Sequence, residues 1–258
     1  MPEADRFYWV VDVGNSAVKA YCLTAGGALV GEALRVPPKD TLPALEQWQA
    51  QAKPPALVCV AGTGQAATLQ TIAAHLEMAG HRVLQIDRAG AVPFESDYAA
   101  GQAGVDRLAN IAAINLLKAS PAIVVDAGTA VTVDLVDSTG RYLGGWILPG
   151  QQLQLNALHA GTRDLPDLDA RGQDSATVPR TTEEAIHGGV VHGLLGAITH
   201  LVQHARALPG TFHASVFFTG GDGQFLQTRC GFKHCRYHEH LTAAGILALA
   251  RHQFPAEF

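Results

Sequence analysis

Apolar and polar positions along this chain form a short pattern that occurs twice. Residues 7–11 are apolar and lead to Asp12, a turn at Gly14 and a second run of alternating residues. The same order returns near the middle of the chain, where an apolar run leads to Asp126, Gly128 and another alternating run. Each copy predicts a strand, a tight turn that carries a carboxylate, and a second strand. The repeat indicates a duplicated domain.

The same pattern predicts strands and helices in a similar order in both halves. In the first half we expect strands over 7–13, about 17–24, about 28–36, 56–61 and 82–87, and helices over 41–52, 65–79 and 105–118. In the second half we expect strands over 122–125, 130–136, 142–148, 215–219 and 232–237, helices over 150–160, 182–206 and 240–253, and an exposed loop over 163–180. Three meander strands followed by right-handed crossovers predict a mixed sheet with helices on both faces. The fold class is therefore α/β, with two domains, 1–119 and 120–258, and a cleft between them.

Composition and charge narrow the class of protein. The 258 residues carry a net charge of −5, which argues against an extended nucleic-acid-binding surface but leaves room for a local basic patch. No apolar run approaches the ~18 residues of a membrane helix, and the N-terminus predicts a first strand rather than a signal peptide. Without an export signal, the four cysteines are expected to be reduced thiols.

The two Asp-Gly turns are candidate phosphate sites. An Asp that ends a buried strand lies at the rim of the sheet, where open α/β sheets bind ligands. The adjacent glycine lets a phosphate approach the backbone amides, and Asp12 and Asp126 can hold a hard cation against it. The structural alternative is that each turn only closes a hairpin as an Asx-turn.

Four more polar side chains accompany these turns. Asn15, Ser16 and Thr129 can donate hydrogen bonds to phosphate oxygens, and Lys19 follows the first turn closely enough to reach a phosphate. The chain lacks both a Walker A loop and a G-x-G-x-x-G loop after its first strand, so a nucleotide site would be of another type.

A third segment, Gly104-Val105-Asp106-Arg107, stands at a predicted helix start. The functional interpretation is a carboxylate base beside an arginine that binds an anionic substrate. The structural alternative is an acid stabilised by the helix dipole, with Arg107 on the surface. The segment alone favours the structural alternative.

Three further motifs are weaker. Gly220-Gly221-Asp222-Gly223 follows a strand and suits either close passage of a phosphate or a plain turn before a helix. Thr181 and Glu184 fit a capping box, which leaves Thr182 available for another role. Cys230, Cys235, His238 and His240 have zinc-ligand residue types, but the expected strand over 232–237 argues against a compact zinc loop.

Together these segments resemble the type III pantothenate kinases, within the superfamily of acetate and sugar kinases, Hsp70 and actin. The resemblance covers most of the chain. It rests on Asp12-Val13-Gly14-Asn15-Ser16, Gly104-Val105-Asp106-Arg107, Asp126-Ala127-Gly128-Thr129-Ala130, Gly144-Gly145-Trp146-Ile147-Leu148-Pro149-Gly150, Thr162-Arg163-Asp164-Leu165-Pro166 and Thr182-Glu183-Glu184-Ala185-Ile186. It implies duplicated ribonuclease H-like (actin-like) domains. It also implies ATP-dependent phosphorylation of the primary hydroxyl of pantothenate, the first step of coenzyme A synthesis.

The resemblance implies a role for each matching residue. The first phosphate loop would bind Mg²⁺-ATP through Asp12, Gly14, Asn15, Ser16 and Lys19, with Thr129 as a further ATP contact. Asp106 would be the catalytic base, and Asp126 would bind a monovalent cation, K⁺ or NH₄⁺. The pantothenate pocket would consist of Gly104, Val105, Asp106, Arg107, Tyr98 and, from the second subunit of a homodimer, Thr182.

The sequence also differs from the family pattern. Tyr98 stands one residue closer to Gly104 than the tyrosine that is usual in the family. The expected protein is a cytoplasmic, homodimeric enzyme that binds neither nucleic acid nor membrane. Two alternatives stay open, a non-enzymatic relative that assists transcription and a kinase of another small hydroxy acid.

Overall fold

The computed structural model describes residues 6–170 and 178–258. These residues divide into two units. The first contains the chain up to Ala119 together with Gly140–Tyr142 and His240–Phe258, and the second contains Ser120–Thr139 and Leu143–Glu239. Part of the loop expected over 163–180, residues 171–177, lies outside the described residues.

The first unit contains one five-stranded mixed sheet. Its strands are β1 (Phe7–Val13), β2 (Val18–Thr24), β3 (Leu34–Val36), β4 (Leu57–Gly62) and β5 (Val83–Gln85). Its helices are α1 (Thr41–Gln49), α2 (Ala66–Met78), α3 (Val105–Leu116) and α7 (Leu241–Gln253), and short 3-10 turns cover Pro38–Asp40 and Pro255–Glu257. The strand order is β3-β2-β1-β4-β5, with β1 antiparallel to β2 and parallel to β4.

Alternation along β1 sends side chains to two helical layers. Trp9 and Val11 pack in one core cluster with Leu45 and Trp48 of α1 and with side chains of α2. The opposite face of β1 and β4 lies against α3 and α7. Helices thus cover both faces of this sheet, as its near-continuous apolar strands require.

The second unit repeats this topology. Its strands are β6 (Ala122–Ala127), β7 (Ala130–Val136), β8 (Tyr142–Pro149), β9 (Ser215–Thr219) and β10 (Cys235–Tyr237), and its helices are α4 (Gln151–Gly161), α5 (Thr182–Arg206) and α6 (Gly223–Arg229). The sheet order β10-β9-β6-β7-β8, read in reverse, matches the order in the first unit. One face of β6, β7 and β9 forms a core with α5 and α6. The predicted pair of mixed α/β sheets is therefore confirmed.

The division into units differs from the expected domain 120–258 at its C-terminal end. Helix α7 packs against α3, β1 and β4, all in the first unit. The apolar side of α7, which includes Ile246, Leu247 and Leu249, is buried there. The structure thus groups α7 with the first unit, whereas the sequence placed it in 120–258. The sequence shows that one side of this helix is apolar, but which surface covers that side depends on contacts with distant parts of the chain.

Three strands are shorter than expected, among them β5, which covers Val83–Gln85 rather than 82–87. The strand expected over 28–36 begins only at Leu34, after Gly27 and Gly31 adopt φ of +82° and +73°. The strand expected over 232–237 begins at Cys235, because His234 has a φ of 62°. Left-handed backbone of this kind breaks the pleat of a strand.

The length and hydropathy of helix α5 test the expectation that no stretch of the chain resembles a membrane-spanning helix. Within the described residues it is the one helix that is long and apolar enough to cross a membrane by length and composition. Buried helices of globular proteins have the same property. Leu194, Ile198 and Val202 of α5 are buried in the core of the second unit.

Candidate functional site

The first Asp-Gly turn lies where β1 and β4 end at the same edge of their sheet. Asp12 is opposite Lys19 in the β1–β2 ladder, and Lys19 Nζ lies 3.3 Å from Asp12 Oδ2. The Asp12 side chain is 13% exposed, whereas Asn15 and Ser16 of the turn are exposed. The predicted nucleotide-binding residues of this turn thus lie together, and Lys19 is paired with the carboxylate.

A second turn, residues 62–64 at the end of β4, packs against both the first turn and the start of helix α3. The Gly64 amide donates a hydrogen bond to the Val13 carbonyl oxygen at 2.9 Å. A Cβ built on Gly104 would lie 3.2 Å from Thr63 Cγ2 and would collide with the Asp106 carboxylate. Glycine at position 104 therefore allows the start of α3 to approach this turn, and it brings Asp106 to the same sheet edge as Asp12.

Asp106 and its neighbour Val105 have different surroundings. Asp106 is half-buried, and its Oδ1 accepts a hydrogen bond from the Arg107 amide at 2.8 Å. Val105 is 3% exposed, so its side chain belongs to the core and it can line a pocket only through its backbone.

Arg107 is buried, with 3% of its surface exposed, so the alternative that placed it on the surface was wrong. Its guanidinium carbon lies 4.9 Å from the ring centre of Tyr98 and 5.9 Å from that of Tyr142. The Tyr98 hydroxyl accepts a hydrogen bond from Arg107 Nη1 at 3.1 Å. The two tyrosine rings stack with centroids 5.6 Å apart. Tyr98 therefore lies beside Arg107, where a cation–π contact and a hydrogen bond hold the guanidinium in one orientation.

The second Asp-Gly turn lies at the corresponding edge of the second sheet. Asp126 is half-buried near the end of β6, and a Cβ on Gly220 would lie 2.6 Å from Asp126 Oδ1. The Asp222 amide donates to the Ala127 carbonyl oxygen at 3.0 Å, which joins the two turns. The Gly220–Gly223 segment, left open by the sequence, thus packs directly on the Asp126 turn.

Two threonines beside Asp126 were missed by sequence reasoning. In the sheet register Asp126 is opposite Thr132 of β7 and Thr219 of β9. Both side chains are buried, at 8% and 1% exposed, and neither hydroxyl has a hydrogen-bond partner among the described residues. The sequence does show a polar residue within each of these apolar strands. Only the register of the strands shows that both residues lie beside Asp126.

Thr129 lies at the start of α4, and Thr182 lies in a groove beside that helix. Thr129 is exposed, and its carbonyl oxygen accepts from the Gly150 amide at 3.0 Å. Thr182 lines a groove of about 720 Å³ between α4 and α5 with Pro149, at the end of β8. Within the second unit these two predicted site residues therefore lie beside the same helix.

The predicted cap of α5 is present in part. The Thr181 hydroxyl accepts from the Glu184 amide at 3.2 Å, as a capping box requires. The Glu184 carboxylate accepts from the Arg180 amide at 2.8 Å. Thr182 is exposed next to this cap.

The cysteines show no arrangement for catalysis or zinc binding in the described part of the chain, which contains no cluster of three or more Cys, His, Asp or Glu side chains suited to a metal. Burial raises the pKa of the Cys59 thiol to about 12. Burial, followed by the charge of Cys235, raises the pKa of Cys230 to about 11. Both thiols are therefore protonated at neutral pH and are poor nucleophiles.

Comparison with known proteins adds independent findings. A family model described as Type III pantothenate kinase matches residues 8–204. A type III pantothenate kinase of Halorhodospira halophila is 34% identical over 255 residues, which cover 95% of this chain and 98% of that protein. One from Porphyromonas gingivalis is 41% identical over 138 residues, which cover 52% of this chain and 56% of that protein.

Solved structures share the fold at low sequence identity. A Campylobacter jejuni protein described as a conserved member of the Baf family of transcriptional activators superposes with a TM-score of 0.60 at 21% identity, covering 95% of this chain and 98% of that one. Component A of (R)-2-hydroxyglutaryl-CoA dehydratase from Acidaminococcus fermentans gives 0.55 at 15% identity, covering 98% and 99%. At these identities the likeness shows the fold alone.

The family assignment thus follows from two separate lines. The motif resemblance predicted it, and both the family match over residues 8–204 and the nearly full-length relative confirm it. The chain belongs to the type III pantothenate kinase family.

Proposed function

We propose that this protein transfers the γ-phosphoryl group of ATP to the primary hydroxyl of pantothenate, the first step of coenzyme A synthesis. The observation that carries the proposal is the position of Asp106, whose helix begins against the turn that packs on the Asp12 loop. Phosphoryl transfer depends mainly on positioning of the reactants and neutralisation of charge, and a carboxylate beside a phosphate-binding loop can orient the attacking hydroxyl. The family relationship gives the acceptor, since the relatives are named pantothenate kinases.

The donor side of the reaction is assigned to the two Asp-Gly turns. Asp12 is the carboxylate for Mg²⁺, because it is an oxygen donor at the mouth of an exposed turn of backbone amides. Gly14, Asn15, Ser16 and Thr129 contact the phosphates in this assignment. Lys19 Nζ is paired with Asp12, so its ammonium group would lie beside the phosphates of a nucleotide bound at this turn. When bound, the metal ion supplies charge neutralisation on the phosphate oxygens.

The acceptor side is assigned to the start of α3. Asp106 accepts the proton of the pantothenate hydroxyl as that oxygen forms its bond to the γ-phosphorus. The bond from the γ-phosphorus to the β–γ bridging oxygen breaks, and ADP leaves with that electron pair. Gly104 and Val105 contribute backbone to the pocket, and Arg107 with Tyr98 supplies a cation of fixed orientation for an anionic acceptor.

A monovalent cation is assigned to Asp126. Two orphaned buried hydroxyls, those of Thr132 and Thr219, are register partners of this carboxylate. An unpartnered buried hydroxyl costs stability unless a ligand uses it. A carboxylate with hydroxyl oxygens is an all-oxygen donor set that suits a hard cation such as K⁺ or NH₄⁺.

We expect Thr219→Val and Thr132→Val to weaken K⁺ activation about tenfold while changing the KM for pantothenate less than threefold. Each substitution keeps the shape of the side chain and removes one oxygen ligand. Differential scanning fluorimetry with and without K⁺ gives a readout besides activity, because a ligand stabilises the folded state in proportion to its occupancy. Without K⁺ the variants should be as stable as the wild type, since no hydrogen bond is lost.

Thr211→Val is the matched control for this prediction. Thr211 is also fully buried in the second unit, but its hydroxyl donates to the Leu208 carbonyl oxygen at 3.0 Å. This variant should lose about 1 kcal/mol of stability and keep the K⁺ response of the wild type. An unchanged K⁺ response in both strand variants would remove the two threonines from the cation site.

The remaining assignments concern assembly and location. We propose a cytoplasmic homodimer that binds neither nucleic acid nor membrane, with Thr182 reaching the pantothenate pocket of the second subunit. The exposed position of Thr182 in the groove between α4 and α5 supports this role. Sedimentation equilibrium of the purified protein tests the dimer, and a monomer with full activity would reject it.

The deciding experiment for the function measures ADP formation by the purified protein with ATP, Mg²⁺ and pantothenate, in K⁺ and then in Na⁺. We expect pantothenate-dependent turnover that is strong in K⁺ and weak in Na⁺. Turnover with another hydroxy acid but not with pantothenate would point to a kinase of different specificity. No turnover with any acceptor in K⁺ would favour a non-enzymatic relative.

A further inference from the structure

A second concave site lies within the second unit. It is a pocket of about 410 Å³ at the ends of β9 and β10 where these strands begin. We call it the basic pocket, because five basic side chains line it. They are Arg206, His213, Lys233, His234 and Arg236. None of the described residues that line this pocket is acidic.

The basic pocket is separate from the Asp126 turn. Strands β6 and β9 are parallel, and they run from Ala122 and Ser215 at the pocket end to Asp126 and Thr219 at the turn end. At ~3.3 Å per residue, a strand of this length places the two ends roughly 13 Å apart. A ligand in the basic pocket would therefore not occupy the phosphate turns.

Arg206 is held in place by its surroundings. It belongs to the last turn of α5, and its Nε and Nη2 donate to the Ala214 carbonyl oxygen at 3.3 and 3.1 Å. Its guanidinium carbon lies 6.0 Å from the ring centre of Phe232. Because both of these hydrogen bonds use one edge of the guanidinium, the Nη1 group keeps donors for an anion.

Edge strands often carry basic residues that prevent pairing with another chain. Arg236 lies in the edge strand β10 and Lys233 lies two residues before it, so this explanation is sufficient for both. It does not account for Arg206 and His213, since they come from α5 and from the loop before β9 and still meet the same pocket. Converging cations repel one another, so in a chain of net charge −5 such a cluster is best stabilised by a bound anion.

The rim of the pocket carries an aromatic side chain. Phe212 is 72% exposed, an unusual state for so large an apolar ring, and its ring centre lies 4.6 Å from that of His213. An exposed aromatic ring beside a cationic pocket matches a ligand with a flat ring and a charged phosphate group.

We propose that the basic pocket binds a nucleoside diphosphate or triphosphate, with the phosphates on the basic side chains and the base on Phe212. The site is additional to the phosphoryl-donor site and does not depend on the kinase activity.

Isothermal titration calorimetry of the full-length protein with ADP tests this proposal. Wild-type protein should bind one more equivalent of ADP than the double variant Lys233→Glu/Arg236→Glu. The matched control is Lys39→Glu/Lys53→Glu, which makes the same charge change at exposed positions of the first unit and should bind as many equivalents as the wild type. Because all four side chains are exposed, each variant should unfold within a few degrees of the wild type.

Two further measurements distinguish binding of the base from binding of the phosphates, and the basic pocket from the phosphoryl-donor site. Phe212→Ala should weaken ADP binding at this site at least fivefold and leave binding of inorganic pyrophosphate within twofold. The KM for ATP in pantothenate phosphorylation should be unchanged in Lys233→Glu/Arg236→Glu. The same number of equivalents in the wild type and in the pocket variant would overturn the proposal whatever the kinase assay shows.

Discussion

Asp106→Asn is expected to lower kcat for pantothenate phosphorylation by about 10²- to 10⁴-fold, because an amide cannot accept the hydroxyl proton. This loss corresponds to roughly 3–5 kcal/mol of transition-state stabilisation. The asparagine keeps the size of the side chain and an oxygen that can accept from the Arg107 amide. Folding and the KM values for both substrates should therefore change little. The measurement is steady-state kinetics in K⁺ together with a thermal melt.

The matched control for Asp106→Asn is Asp40→Asn. Asp40 also stands at a helix start in the first unit, where it precedes α1, and its side chain makes no capping hydrogen bond. This variant should keep wild-type kcat and stability. A kcat within threefold of the wild type in Asp106→Asn would reject Asp106 as the base, and an equal loss in both variants would point to a general effect of acid removal.

Gly245→Ala is expected to destabilise the protein by about 3 kcal/mol, at the upper end of overpacking effects. Gly245 lies in α7 where this helix crosses α3, and a Cβ there would overlap the Ala109 carbonyl oxygen and lie 2.9 Å from Ala109 Cα. The obstacle is backbone, so it cannot rotate away, and the two helices must separate. For a chain of this size the melting temperature should fall by roughly 6–12 °C.

The same change should also reduce activity, because α3 carries Asp106 at its start. Gly196→Ala is the control, since a methyl group added to this glycine of α5 would meet no atom of the described residues within 4 Å beyond its own stretch of helix. It should gain about 0.5–1 kcal/mol from helix propensity. A melting temperature of Gly245→Ala equal to that of the wild type would contradict the described crossing of α3 and α7.

Local patterns in the sequence were enough to predict several features of the fold. The apolar runs before Asp12 and Asp126 predicted β1 and β6, and the glycines after them predicted the turns. These predictions succeeded because a strand period and a turn residue depend on neighbours within a few positions. The duplicated topology and the family followed from the order of such local pieces, and both were confirmed. The roles of the individual site residues remain predictions.

Other features depended on contacts between distant parts of the chain. The helix-start segment alone favoured a surface position for Arg107, but the protein buries this side chain beside Tyr98 and Tyr142. Thr132 and Thr219 became candidates only when the strand register placed them opposite Asp126.

The sequence by itself therefore determined the order of the strands, the two carboxylate turns, their duplication and the family. Each of these is encoded in a local order of apolar residues, glycines and acids. The tertiary structure alone decided that α7 packs in the first unit, that Arg107 is buried, and that five basic side chains meet in one pocket. An amphipathic helix or a charged side chain specifies what kind of surface it needs, and only packing of the whole chain selects which surface it meets.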